Sequence, residues 1–116
     1  MFEFLVPAGA KVPAAHYHAE VDEVVYGLEG VLTFTVEGRV AELGPGDRCF
    51  VPRGAVHQFV NAGAVPTRTL AVLTPALIGP GYFREMAALV GGGGPPDAGR
   101  VAEVMRRHGL VVVGGA

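Results

Sequence analysis

The chain has 116 residues, of which 50% are hydrophobic and 17% charged, against roughly 25% charged in ordinary soluble chains. That composition supports one buried core and excludes a disordered acidic or basic tail. Nine basic and eleven acidic residues leave a net charge of −2, with no basic cluster larger than Arg106-Arg107, so a nucleic acid or an anionic membrane finds no electrostatic footprint and the expected partner is a small molecule.

The 18 glycines and 9 prolines are close to twice the usual share of about 12%, which implies many turns and short elements. Up to residue 75, short apolar or alternating runs are punctuated every eight to twelve residues, the pattern of an all-β sandwich or barrel. Strands are predicted over 2–6, 15–20, 23–29, 31–37, 39–43, 48–51, 56–61 and 67–74. Glu29-Gly30 and Glu37-Gly38 suit tight hairpins, and Gly44-Pro45-Gly46-Asp47 cannot continue a ladder. After Pro75, Phe83, Met86, Ala87 and Val90 recur at helical spacing with Gly91 as a stop. A flexible Gly91–Pro96 stretch follows. Asp97 then caps a second helix with Val101, Val104 and Met105 inward and Gly109 at its end. Leu110–Val113 is an apolar tail that packs on the barrel or on a second subunit. The expected division is a β-barrel over 1–77 and a C-terminal helical extension over 78–116.

The lone Cys49 can form neither an internal disulfide nor a thiolate cluster, no uncharged apolar run approaches the roughly 18 residues of a membrane span, and the first residues lack the basic start of a secretory signal. A cytoplasmic protein is expected. Cys49 itself reads as a buried small hydrophobe.

The chemistry concentrates in the histidines. His16 and His18 stand at i and i+2, so on a strand both imidazoles project from one face as a chelating pair. Glu23 opens the next strand, and His57 opens another after Pro52-Arg53-Gly54-Ala55. Three imidazoles and a carboxylate suit one divalent transition metal, Fe, Mn, Ni, Co, Cu or Zn, and suit Mg or Ca poorly. His108, in the last turn of the second helix, reads as structural. Glu20 and Asp22 compete with Glu23 as ligand, and register favours Glu23.

At these spacings the chain resembles the cupin superfamily. His16-x-His18-x4-Glu23-x6-Gly30 is similar to the first cupin motif, and Gly46-x5-Pro52-x-Gly54-x2-His57-x3-Asn61 to the second. The opening glycine of the first motif is replaced by Ala10 with Gly9 beside it, and the spacer Val31–Pro45 is similar to the short spacers of bacterial single-domain cupins. The resemblance covers about residues 6–75. It implies a double-stranded β-helix, a jelly-roll barrel, with a metal held inside by His16, His18, Glu23 and His57. The implied activity is that of a metal-dependent dioxygenase similar to the quercetinase-like cupins, acting on a small aromatic or dicarbonyl substrate with Glu23 as proton acceptor. A metal-dependent isomerase or decarboxylase and a non-catalytic ligand- or metal-binding barrel are the alternatives.

Strand alternation extends the site. Inward Glu23 predicts inward Val25 and Gly27, and inward His57 predicts inward Phe59 and Asn61, giving an expected substrate pocket of Val25, Gly27, Phe59 and Asn61. Gly27 is read as leaving room for a flat ligand; the alternative is a bulge or a close backbone approach. For Asn61 a side-chain cap on the Ala62-Gly63 turn is favoured over direct substrate contact, so it enters the pocket as support. Tyr17 and Arg53 are candidate rim residues. Bare sheet edges and the apolar tail predict a homodimer.

Overall fold

Alternation of buried and exposed side chains decides the architecture, most clearly over Thr67–Thr74, where Thr67, Thr69, Ala71 and Leu73 are buried and the residues between them are not. The computed structural model describes residues 1–10, 14–90 and 97–113. Its strands are β1 (Phe2–Val6), β2 (His16–His18), β3 (Asp22–Glu29), β4 (Leu32–Val36), β5 (Arg39–Leu43), β6 (Arg48–Val51), β7 (His57–Val60), β8 (Thr67–Thr74) and β9 (Leu110–Val112). Two helices, α1 (Pro80–Val90) and α2 (Ala98–Arg107), lie between β8 and β9. The strands form two antiparallel sheets, β1-β8-β3-β6 and β5-β4-β7-β2-β9, packed as a jelly-roll barrel. Val25, Ala71 and Leu73 from the first sheet meet Leu32, Phe34 and Leu110 from the second in one core.

The Glu37-Gly38 hairpin closes with both residues in the left-handed region, φ 48° and 77°, as a tight turn matching strand twist requires. Asp97 caps α2 as expected, its Oδ1 accepting from the backbone N–H of Gly99 at 2.8 Å and of Arg100 at 3.2 Å. His108 ends that helix, and its Nε2 lies 3.1 Å from Glu85 Oε1 on α1, while Arg107 donates to the other Glu85 oxygen at 2.7 Å. These two contacts, Arg107 first, hold the Glu85 carboxyl below its usual range. His108 therefore ties the two helices together, away from the other histidines. The expected helix stop at Gly91 and the linker through Pro96 lie outside the described residues.

The sequence reading makes residues 78–116 a helical extension, and the structure differs at the end of that segment. Leu110–Val112 is a strand that pairs with β2 in the register His16↔Val112, Tyr17↔Val111, His18↔Leu110. The reason is an unsatisfied edge: β2 meets β7 only at His16↔His57, so without β9 its other side would expose bare backbone groups. Ala19 N–H donates to Gly109 O and Val113 N–H to Ala15 O, extending the pairing past both strand ends. The apolar tail thus packs on the barrel of its own chain.

Candidate metal centre and pocket

Strand geometry brings the four expected ligands together. His16 and His18 point from one face of β2 into the barrel; His57, first residue of β7, is the direct cross-strand partner of His16; Glu23 faces them from β3 in the opposite sheet. All four are buried. The ring centroids of His16 and His57 lie 4.3 Å apart, those of His18 and His57 4.8 Å, and those of His16 and His18 5.2 Å. Glu23 Oε1 is 3.1 Å from His18 Nε2 and 3.5 Å from His57 Nε2.

The donor set fits a metal ion. The ligand nitrogens of His16, His18 and His57 lie within 4.8 Å of one another. Imidazole nitrogens bind a metal such as zinc at about 2.0–2.1 Å, so two ligands stand no more than roughly 4.2 Å apart across it, and a small contraction completes the site. Two ring orientations are set by the backbone: His16 Nδ1 is 2.9 Å from Ala14 O and His57 Nδ1 is 3.0 Å from Ala55 O. A proton on each Nδ1 makes those bonds and leaves the Nε2 lone pairs free to coordinate. His18 Nδ1 is buried with no partner among the described residues.

Electrostatics favour the ligating protonation states. Burial, aided by neighbouring His57, lowers the His16 pKa to about 4, which keeps that imidazole neutral at physiological pH. Burial pushes the Glu23 carboxyl up, but contacts from His18 and His57 outweigh it and hold the group at about 2, ionised. The rival carboxylates are elsewhere. Asp22 faces outward and accepts from the backbone N–H and the guanidinium of Arg53, and Glu20 is exposed. This pairing also occupies Arg53, and Tyr17 lies on the face of β2 opposite the two histidines, so neither lines the pocket. Burial raises the Cys49 pKa, with Glu23 adding to the effect, as suits an inert thiol.

The histidines and Glu23 form the inner end of a pocket of about 260 Å³ whose remaining wall is almost wholly apolar. Of the four residues expected to line it, Phe59 does. The other three require correction. Val25 is inward but packed in the core, between its partners Cys49 and Ala71. Gly27 is inward, yet it leaves no room: a methyl there would collide with the carbonyl oxygen of Gly44 and lie 2.9 Å from its carbon. Gly27 N–H donates to Asp47 O at 2.9 Å and Gly27 O accepts from Gly46 N–H at 3.0 Å, so the glycine admits the Gly44–Asp47 turn against β3. Asn61 does not line the pocket and instead caps the Ala62-Gly63 turn, the favoured reading of its sequence position, while also clamping two other segments. Its amide nitrogen donates to Val6 O and Val65 O, and its Oδ1 accepts from Gly63 N–H.

Sequence reasoning missed most of the wall. Phe2 and Phe4 come from β1, Tyr82, Phe83 and Met86 from α1, and Leu110 from β9. The alternation Phe2, Phe4, Val6 signals an inward face on β1, but nothing local joins that face to a helix some eighty positions later.

A jelly-roll barrel with inward histidines from two neighbouring strands and a facing carboxylate defines a class of small β-barrel whose interior suits a metal ion. The model of the cupin domain family matches residues 2–73, more than half of the chain, and the chain belongs to that family. It is 37% identical over 60 residues to the tetracenomycin polyketide synthase protein TcmJ of Streptomyces glaucescens, covering 52% of this chain and 40% of that protein. The matches to curated relatives span 40% to 58% of those proteins' own lengths. Among solved structures, a sugar phosphate isomerase of the cupin superfamily from Silicibacter pomeroyi superposes with a TM-score of 0.58 at 36% identity, over 64% of this chain and 48% of that one. The polyketide cyclase RemF from Streptomyces resistomycificus superposes with a TM-score of 0.53 at 34% identity, over 61% and 49%. The match at 2–73 ends before α1, so Tyr82, Phe83, Met86 and Leu110 reach the pocket from outside it.

Proposed function

We propose that the chain is a metal-dependent enzyme of non-oxidative type that moves a proton on a small, flat, largely apolar carbonyl compound. One observation carries this reading: three buried histidines and an ionised carboxylate at the inner end of a pocket that is otherwise apolar. His16, His18 and His57 would hold a divalent transition metal, with Glu23 as fourth ligand or as base beside it. When bound, the metal supplies Lewis-acid polarisation of an oxygen on the ligand. The aromatic wall excludes water and holds the ligand's ring flat with its oxygen towards the histidines. Glu23 accepts the proton from the carbon next to the carbonyl and returns it. It serves as base when it turns away from His18 and His57, because burial then pushes its carboxyl up. The isomerase and cyclase named among the similar structures support non-oxidative chemistry, and two similar Streptomyces proteins of polyketide synthesis support a ring-bearing substrate.

A dioxygenase of quercetinase-like type is the second reading, favoured by the donor count: four protein ligands on a six-coordinate metal leave two positions for exchange. We place the protein in the cytoplasm on its single unpaired Cys49; among the described residues no helix is long and apolar enough to cross a membrane. The test is a panel of cyclic diketones, hydroxynaphthoquinones and catechols with metal-loaded protein, following deuterium incorporation from D2O by NMR under argon and O2 uptake in air. Metal-dependent exchange that Glu23→Gln abolishes supports the proposal. O2 uptake without exchange replaces it with the dioxygenase, and binding without either leaves a ligand-binding barrel.

A further inference from the structure

Six aromatic rings line the pocket in a chain of contacts that runs from beside the histidines to the exposed Phe83 and its buried neighbour Tyr82. Phe59 stands two residues after His57 on the same strand, and Phe34 is its cross-strand partner, with ring centroids 5.2 Å apart. Phe4 lies 5.2 Å from Phe59, Phe2 6.1 Å from Phe4, and Phe83 4.6 Å from Phe2 with the rings at 60°; Tyr82 lies 5.0 Å from Phe83. Phe34 is 1% exposed and Phe83 40%, while Tyr82, beside Phe83, is 6% exposed.

Phe83 is not explained by core packing. A helix residue with this much exposure contributes little to the core, while its neighbour Tyr82 is 6% exposed and already anchors α1. What Phe83 does contact is Phe2, on the edge strand β1, and both line the pocket, Phe83 as one of its more exposed residues. A side chain at that place limits how far a flat ligand, held by its oxygens at the histidines, extends outward. The pocket volume of about 260 Å³ lies just under the range of drug-sized sites, roughly 300–1,000 Å³, so the site suits a small ligand.

We propose that Phe83, against Phe2, is the specificity-determining residue of this site and sets the upper length of a planar aromatic ligand. The inference rests on the proposed reading of the site as one that holds a ligand's oxygens at the histidines. The selectivity comes from α1, which lies outside the family match at 2–73.

The test uses a series with one chelating head and increasing length: catechol, 2,3-dihydroxynaphthalene and 2,3-dihydroxyanthracene, titrated by fluorescence into the zinc-loaded full chain under argon. The wild type is expected to bind the two-ring compound best. Phe83→Ala improves the three-ring compound by about tenfold with catechol unchanged, and Phe83→Trp weakens the two-ring compound by about tenfold, as steric exclusion in a formed pocket requires. Thermal melts of both variants check the fold, and Phe83→Leu replaces Phe83→Ala if that variant melts early. Catechol binding with the same ranking of the three compounds in every folded variant overturns the role of Phe83 and leaves the site reading intact. No binding of catechol to the wild type overturns the site reading and this inference with it.

Discussion

Substituting Gly27 with alanine tests whether this residue is a spacer for ligand or a seat for backbone. The added methyl meets the carbonyl of Gly44, a backbone group fixed in a turn and unable to rotate aside. Forcing an extra methyl into packed surroundings costs about 1–3 kcal/mol. Displacing the turn also weakens the hydrogen bonds from Gly27 N–H to Asp47 O and from Gly46 N–H to Gly27 O, worth about 1 kcal/mol each. Alanine recovers roughly 0.5–1 kcal/mol of chain entropy that glycine loses in a strand. The net is a loss of about 2–4 kcal/mol, which at about 4 °C per kcal/mol for a domain of this size lowers Tm by about 8–16 °C. Thermal denaturation followed by circular dichroism measures this. A Tm within about 2 °C of wild type refutes the close approach and restores Gly27 as open pocket wall.

Proline at Val111 removes a ladder N–H opposite Tyr17 and loosens β2, so zinc affinity measured by competition with a chromogenic chelator is expected to fall by about tenfold; unchanged affinity would show that β9 does not position His16 and His18. For the metal-free chain, the lowered pKa of His16 means the unfolded state takes up a proton first as pH falls, so stability is lost from about 6.5 towards about 4. The lowered pKa of Glu23 adds a second loss below 4.5, continuing towards 2. Urea midpoints across this range show both phases, and His16→Gln flattens the first; a midpoint independent of pH from 7 to 4 contradicts the assignment. The outer face of the β1-β8-β3-β6 sheet carries Val24 beside Phe50 and Val72, and Tyr26 beside Leu70, with Phe50 and Leu5 well exposed. A homodimer covering this face is expected by light scattering, and the 12.0 kDa monomer mass at micromolar concentration rejects it.

Much of the barrel was legible because its signals are local. Alternation in β8 and the Glu37-Gly38 turn each report their own geometry within a few residues, and the i, i+2 spacing of His16 and His18 commits both rings to one face. Glu23 was separable from Asp22 because adjacent strand residues face opposite ways. What failed to read was non-local. Inward direction at Gly27 followed from Glu23, but whether a glycine faces a cavity or a carbonyl depends on where the Gly44–Asp47 turn folds back. The pattern around Asn61 could not show that its amide reaches Val6 O, fifty-five positions away. Phe2 and Phe83 meet only because α1 crosses the end of the barrel, and a three-residue strand such as β9 is too short to announce itself beyond being apolar.

Metal analysis of the protein purified without chelator, compared with the His57→Ala and His108→Ala variants, tests the central claim most directly. Removing His57 takes away the imidazole directly opposite His16, whereas His108 lies between the two helices on Glu85. The account predicts one transition-metal ion per chain in the wild type and in His108→Ala, and loss of most of it in His57→Ala. Metal retained at wild-type stoichiometry in folded His57→Ala protein would contradict it.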